Sequence, residues 1–236
     1  LSCDALAQIA YLCARAGADI IKDDHGLADQ AISPFRERVT KIQAAVARAN
    51  AETGGTAQYF PNIGGQTEDI GANLRFAKYA GVGGILVMPG LLGFGLIHRI
   101  ARDATLNLPV MSHPSFLGPY VLSADTGFSH GMMFGTLQRL AGVDISVFPN
   151  VGGRFGFSAA ECAEIADACR TPAGPGKPIF PSPGGGMSAD RAAEMQAMYG
   201  DDVIYLLGGS LLRHADRIGE AISAMRRVLD AGGRLP

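Results

Sequence analysis

The period of the apolar positions changes repeatedly along the chain. Ala5, Ile9, Leu12 and Cys13 recur at helical spacing after Ser2, a residue type that caps helix starts. The run 18–24, Ala-Asp-Ile-Ile-Lys-Asp-Asp, then reads as a short strand. Pro34 suits a first helical turn, and Phe35, Val39, Ile42 and Val46 continue a helix that ends at Gly54 and Gly55. The alternation of short apolar run, glycine and amphipathic helix then repeats. Strands are predicted over 57–63, 84–88, 108–112, 143–148, 178–181 and 202–207. Helices are predicted from Thr67 and Glu68 to Gly81, near 96–103, over 131–141, from the Ser158 cap to 169, from the Ser188 cap to 199, and around Ile218, Ile222, Met225 and Leu229.

The pattern is one leading helix followed by seven strand–helix units. Short strands that are apolar on both faces belong to a parallel sheet wrapped in helices. The expected class is α/β, a (β/α)8 TIM barrel one strand short. The first strand is expected upstream of Leu1, so residues 1–236 read as one barrel domain incomplete at its N-terminus. An open doubly wound sheet is the alternative. Glycine pairs after nearly every strand favour the barrel.

Composition narrows the function. The 236 residues are 47% hydrophobic and 18% charged, with a net charge of -2. That is a folded chain without a basic stripe, so no nucleic-acid partner is expected. Its longest apolar stretches, such as 83–92, are too short and too rich in glycine to span a bilayer. No signal peptide precedes the first helix. Cys3, Cys13, Cys162 and Cys169 fit neither a zinc knuckle nor a redox pair, and read as reduced thiols of a cytoplasmic protein.

Barrel chemistry sits where strands end. The strand ends offer Lys22-Asp23-Asp24-His25, Asn62, Ser112-His113, Asn150 with Arg154 in the following loop, Ser182 before Gly184-Gly185-Gly186, and Gly208-Gly209-Ser210. Bare glycine backbone after the last two strands suits a phosphate; tight turns alone are the alternative, which two clusters at the two expected strand ends disfavour. Lys22 and Asp24 share a strand face. Asp24 and His25 could hold a divalent cation, hard enough for Mg2+ if carboxylate dominates. Lys22 fits beside a cation only as a neutral base or as a carbamate formed with CO2. The alternative is a solvated end with a Lys–Asp ion pair. His113 reads equally as a catalytic or a packing residue. Arg154 could swing over a bound anion or be an exposed loop residue. His98, His130 and His214 read as structural or surface residues.

Gly17-Ala-Asp-Ile-Ile-Lys-Asp-Asp-His with Ser33-Pro-Phe-Arg-Glu-Arg resembles the RuBisCO large subunit, over essentially the whole chain. The resemblance implies a carbamylated Lys22 that binds Mg2+ together with Asp24 and position 25. It places His113 on an active-site histidine, Arg154 on a mobile-loop lysine, Gly184 and Gly185 on one pair of glycines, and Gly208 and Gly209 on a phosphate-binding pair, with Ser210 beside them. His25 stands where the family has Glu, Pro114 where it has a phosphate-gripping Arg, Val147 where it has His and Pro183 where it has Ser. These departures imply the RuBisCO-like branch, which enolises a phosphorylated keto-sugar without fixing CO2. An isomerase of the 5-methylthioribulose 1-phosphate type is the first expectation. A decarboxylase of a phosphorylated branched-sugar acid, of the 3-oxo-isoapionate 4-phosphate type, and a non-catalytic phosphosugar-binding barrel are the alternatives. The resemblance also implies a homodimer or larger homo-oligomer and an N-terminal domain.

Overall fold

In the computed structural model, residues 1–123, 125–153, 155–212 and 217–231 are described, apart from the side chains of Ala189, Ser210 and Leu212. Helix α1 (Cys3–Arg15) starts at Ser2, whose hydroxyl accepts from the Ala5 amide. Then follow β1 (Ile20–Lys22), α2 (Phe35–Thr53), β2 (Gln58–Phe60), α3 (Ile70–Tyr79), β3 (Ile85–Val87), α4 (Pro89–Leu92), α5 (Phe94–Ala101) and β4 (Val110–Ser112). A π-helical turn (Met132–Thr136) leads into α6 (Leu137–Leu140), β5 (Ile145–Pro149), α7 (Ala159–Arg170), β6 (Phe180–Gly184), α8 (Ala192–Tyr199), α9 (Gly209–Leu212) and α10 (Ile218–Asp230).

Every strand pair is parallel, in two runs that follow chain order, β1-β2 and β3-β4-β5-β6. Single bridges, Asn62 to Leu86 and Gly184 to Leu206, join β2 to β3 and β6 to the segment after α8. A doubly wound sheet reverses its strand order at a switch point. No reversal occurs among the described residues, so the architecture is the barrel. The ring of helices closes on itself: Cys13 of α1 packs with Ile218 and Ile222 of α10. Ser223 and Arg226 of α10 donate to the carbonyls of Ala16 and Gly17. The edges of β1 and of the 204–207 segment do not pair; Ile20, Ile21, Ile204 and Leu206 line a cavity of about 890 Å3 between them. That gap is where the sequence reading expects a first barrel strand.

Several element boundaries differ from the sequence reading. The 202–207 strand reduces to the Leu206 bridge, held by Ile204 and Leu206 amides donating to Pro181 and Pro183. Pro178 and Ile179 lie outside β6, which instead runs on to Gly184. A 3-10 turn (Ala189–Arg191) intervenes before α8, so Ser188 is not the cap of that helix. The predicted helix over 131–141 opens as a π-turn; a Cβ on Gly135 would lie 2.5 Å from that of Ala168, so α7 passes at backbone distance. The Ser158 prediction holds in full, with Glu161 completing a capping box.

Strand alternation sorts the side chains into two layers. Phe60, Leu86, Met111, Ile145 and Val147 fill the barrel interior, joined by Ile20, Ile204 and Leu206. Alternate positions such as Tyr59, Ile85, Val87 and Val110 pack outward against the helices. The interior is tight: a Cβ on Gly84 would lie 2.3 Å from the Phe60 ring. This layering determines which strand-end residues face the mouth.

Candidate active site at the carboxyl ends of the strands

Ile20 points inward, so Lys22 does too, and its strand partner is the interior Phe60. Asp23 therefore turns outward. Its carboxylate is buried and takes three donors: Arg38 Nε at 3.0 Å, Tyr59 Oη at 2.8 Å and the Asn62 amide at 3.1 Å. Arg38, itself fully buried, also donates to the carbonyls of Ala28 and Ser33, both at 2.8 Å. Asn62 Nδ2 donates to the carbonyls of His25 and Leu27. The loop following β1 is thus fastened from two sides.

Asp24 ends this run with its carboxylate exposed. Its Oδ1 accepts from the Gly26 amide at 2.8 Å, an Asx turn that bends the chain back immediately after the strand. Its Oδ2 lies 3.6 Å from His25 Nδ1. The His25 ring stacks on His113, centroids 4.1 Å apart and planes 12° apart. His113 follows β4, one step beyond the alternation that turns Met111 inward and Ser112 outward. Lys22, Asp24, His25 and His113 therefore converge, as their spacing and the resemblance led us to expect.

The electrostatics single out two of these groups. Burial pulls the Lys22 ammonium below its usual range, against the opposing charges of Asp24 and Asp23. Lys22 makes no ion pair among the described residues; its Nζ donates to the Asp23 carbonyl at 3.0 Å. The solvated Lys–Asp pair is thereby excluded. Burial first, then the neighbouring His25 and Lys22, pushes His113 down to about 3 despite Asp24. His113 Nδ1 lies 2.9 Å from Ser115 Oγ and 3.3 Å from the Ser115 amide.

The glycines divide by role. Gly184 is required for packing, since a Cβ there would lie 2.7 Å from Leu206 Cδ2. Gly185 has φ +92°, a left-handed conformation that favours glycine, with open space where a side chain would begin. Gly208 and Gly209 also face open space. The Gly184–Leu206 bridge sets both clusters at adjacent strand ends. Arg191 donates to the carbonyls of Val151 and Gly186, tying the loop after β5 to the glycine turn. Arg154 and the Ser210 side chain lie outside the described residues, as does His214. Asn150 turns away from the mouth into the helix layer, where its Oδ1 accepts from Tyr199 Oη at 2.6 Å. His130 packs against Phe157 and His98 reaches the Leu140 carbonyl, both structural.

Arg38, Ser115 and Arg191 were not legible as site residues, and Asn62 was legible only as a strand-end residue. Each acts through backbone carbonyls or a neighbouring ring, and such partners leave no mark in spacing. The one available signal was Arg38, which falls inside the Pro34-Phe35 motif.

The described residues hold no group of three or more His, Cys, Asp or Glu placed to bind a metal. Asp24 and His25 supply two donors. An ammonium at Lys22 would repel a cation, whereas a carbamate there would add an anionic oxygen donor. The donor set fits a divalent cation on that condition.

Residues 1–156 match the model of the ribulose bisphosphate carboxylase large chain, catalytic domain. The chain belongs to the RuBisCO large-chain family. Within it, the chain is 39% identical over 220 residues to ribulose bisphosphate carboxylase-like protein 1 of Rhodopseudomonas palustris, covering 93% of this chain and 58% of that protein. It is 39% identical over 221 residues to the 5-methylthioribulose-1-phosphate isomerase of Rhodospirillum rubrum, covering 94% and 57%. A crystal structure of a RuBisCO-like protein from Rhodopseudomonas palustris superposes with a TM-score of 0.87 at 38% identity, over 100% of this chain and 62% of that one. The chain thus spans under two thirds of the length of these relatives. Among its described residues no helix is long and apolar enough to cross a membrane.

The depressed His113 value has a consequence for stability. The unfolded chain takes up the imidazole proton below the ordinary value of 6.5, while the folded chain resists it down to about 3. Stability is therefore lost through His113 as pH falls across that window. The midpoint of urea unfolding should fall with pH more steeply in the wild type than in His113→Gln. Parallel pH profiles would refute this.

Proposed function

We propose that this chain carries the enolising site of a RuBisCO-like enzyme acting on a phosphorylated ketose, an isomerase of the 5-methylthioribulose 1-phosphate type. The observation that carries the reading is a half-buried, desolvated Lys22 beside an exposed Asp24 and a half-buried neutral His113 at one end of a barrel. The isomerase name of a 39% identical relative supports it. An upstream strand, itself preceded by an N-terminal domain, fills the gap beside β1 and completes the barrel in this reading.

Proton abstraction beside a carbonyl needs a base at the carbon and stabilisation at the oxygen. Burial disfavours the Lys22 ammonium and so favours its neutral amine. In that form it takes a proton at Nζ or combines with CO2. Lys22 as the carbamate, Asp24 and His25 would hold Mg2+, which when bound supplies positive charge to the substrate oxygens. Asp24 contributes the carboxylate; an imidazole at position 25 brings no negative charge, so binding is weaker than with a carboxylate at that position. The amides of Gly185, Gly208 and Gly209 can approach one phosphate, with Ser210 at the start of α9. The carbon beside the carbonyl loses its proton to Lys22, at Nζ of the free amine or at an oxygen of the carbamate; the carbonyl oxygen gains a proton to give the enediol, and the new carbonyl forms as its hydroxyl loses a proton and the former carbonyl carbon gains one. Nothing is oxidised or reduced overall, and no CO2 is consumed.

Incubation with phosphorylated ketoses in D2O, followed by NMR, reports exchange, isomerisation and CO2 loss together. We expect Mg2+-dependent C–H exchange and isomerisation, abolished in Lys22→Met. With 13C-bicarbonate, a carbamate carbon resonance should appear in the wild type and be absent from Lys22→Met. Exchange that survives the loss of Lys22 would defeat the proposal. Release of CO2 from a sugar acid would instead identify a decarboxylase, and absence of turnover with retained phosphosugar binding a non-catalytic barrel.

Gly209→Val adds a side chain where the fold leaves room, so stability should hold. KM for the phosphorylated substrate should rise about ten-fold, equivalent to roughly 1.4 kcal/mol. An unchanged KM would remove Gly209 from the phosphate site.

Phe116, Tyr120, Leu122 and Phe128, all exposed, lie on the single segment that follows β4. They support a homo-oligomer in which a neighbouring subunit covers the mouth. Sedimentation of the full protein should give a dimer or larger; a fully active monomer would contradict this.

A further inference from the structure

We propose that Ser115 is a positioning residue that fixes the His113 ring with its hydrogen on Nε2, so that His113 presents the mouth with a hydrogen-bond donor and not a base. The donor role rests on the enolising reading above; the positioning stands apart from it.

A backbone amide can only donate. The Ser115 amide lies 3.3 Å from His113 Nδ1, so the lone pair of that nitrogen is engaged. Ser115 Oγ approaches the same nitrogen at 2.9 Å, and its rotatable hydroxyl can donate there as well. In a neutral imidazole the single ring hydrogen is then on Nε2.

The surrounding backbone is built to hold this arrangement. The His113 amide donates to the Val87 carbonyl at 2.8 Å, which anchors the residue to the strand ladder. Pro114 restricts its own φ and keeps His113 out of the helical region. The Leu117 amide closes a turn onto the Pro114 carbonyl at 3.0 Å. Within that turn Phe116 has φ +64°, a left-handed conformation that costs energy for a bulky residue. Its ring is 66% exposed, so burial does not offset the strain. What the turn achieves is to aim the Ser115 amide back at the imidazole. Gly90 supports it from behind: a Cβ there would lie 2.4 Å from the Ser115 carbonyl oxygen and 3.0 Å from Phe116 Cβ. On the other side the stacked His25 ring, 4.1 Å away, restrains rotation of His113.

The ring is thus oriented by the strand, by the Ser115 turn and by His25. A fixed donor at Nε2 stabilises an oxygen on which negative charge grows as a neighbouring C–H proton leaves, without reorganisation during the reaction. The opposite tautomer would turn a lone pair toward that same oxygen and repel it.

Long-range 1H–15N correlation spectra of the full chain labelled with 15N-histidine read the tautomer directly, with His113→Gln assigning the resonances. At neutral pH we expect a protonated Nε2 and an unprotonated, hydrogen-bonded Nδ1 in the wild type. A wild-type His113 carrying its hydrogen on Nδ1, or on both nitrogens, would overturn the proposal without any variant having to fold. Ser115→Asp places an acceptor against Nδ1 and should invert the pattern. The same variant should lower kcat for C–H exchange at least ten-fold while KM changes less than two-fold. Ser115→Thr keeps the hydroxyl and should restore both the pattern and kcat. An inverted pattern with unchanged kcat would overturn the donor role. A wild type with the Nε2–H pattern but no exchange on any phosphorylated ketose would overturn the enolising reading and support the positioning alone.

Discussion

The buried pair of Arg38 and Asp23 is the interaction on which the site depends. Arg38 reaches from the first turn of α2 through the loop to the end of β1, and its three nitrogens engage Asp23, Ser33 and Ala28. One side chain thereby fastens a strand end, the loop over 23–34 and a helix start. Buried pairs of this kind are poor sources of net stability, because both charges have left water. Losing one partner is another matter: an uncompensated buried charge costs about 3–5 kcal/mol. Tyr59 and the Asn62 amide complete the shell of the carboxylate, so it is fully engaged. The geometry of Lys22 and Asp24, on either side of Asp23, is inherited from that fixed point.

Strand alternation turns this anchoring into chemistry. Asp23 faces the helices, so its neighbours in sequence face the barrel axis. Lys22 is held above the apolar interior of Phe60, Leu86 and Met111, which desolvates its ammonium. Asp24, one residue further along the chain, stands in solvent and keeps its charge available. The same rule turns His113 toward the mouth while Ser112 is buried below it. Adjacent residues thus acquire opposite environments, and a single tripeptide yields a structural acid, an exposed acid and a desolvated amine.

The loops on the far side are assembled by backbone approach. Gly184 permits contact with Leu206, Gly185 permits a left-handed turn, and Gly208 and Gly209 leave open space where a side chain would begin. Arg191 braces the turn by donating to carbonyls on two loops, and its charge is balanced by Glu194 at 3.0 Å. Glycines that look alike in sequence therefore serve packing, backbone conformation and access respectively.

The order and type of nearly every element were determined by local sequence: apolar period, the Ser2 and Ser158 caps, and the left-handed Gly54 after α2. So was the convergence of Lys22, Asp24, His25 and His113, because parallel strands bring their carboxyl ends together whatever lies between. Local sequence failed where neighbours decide. The 202–207 run has strand composition but pairs at one bridge, since a strand needs partners on its edges and the β1 side is open. The π-turn at 132–136 answers the close passage of α7. Arg38, Asn62, Ser115 and Arg191 became site residues only through carbonyls and rings distant in sequence or turned back by an unusual φ. Periodicity encodes which face a residue occupies, whereas the partner it meets there is a property of the assembled fold.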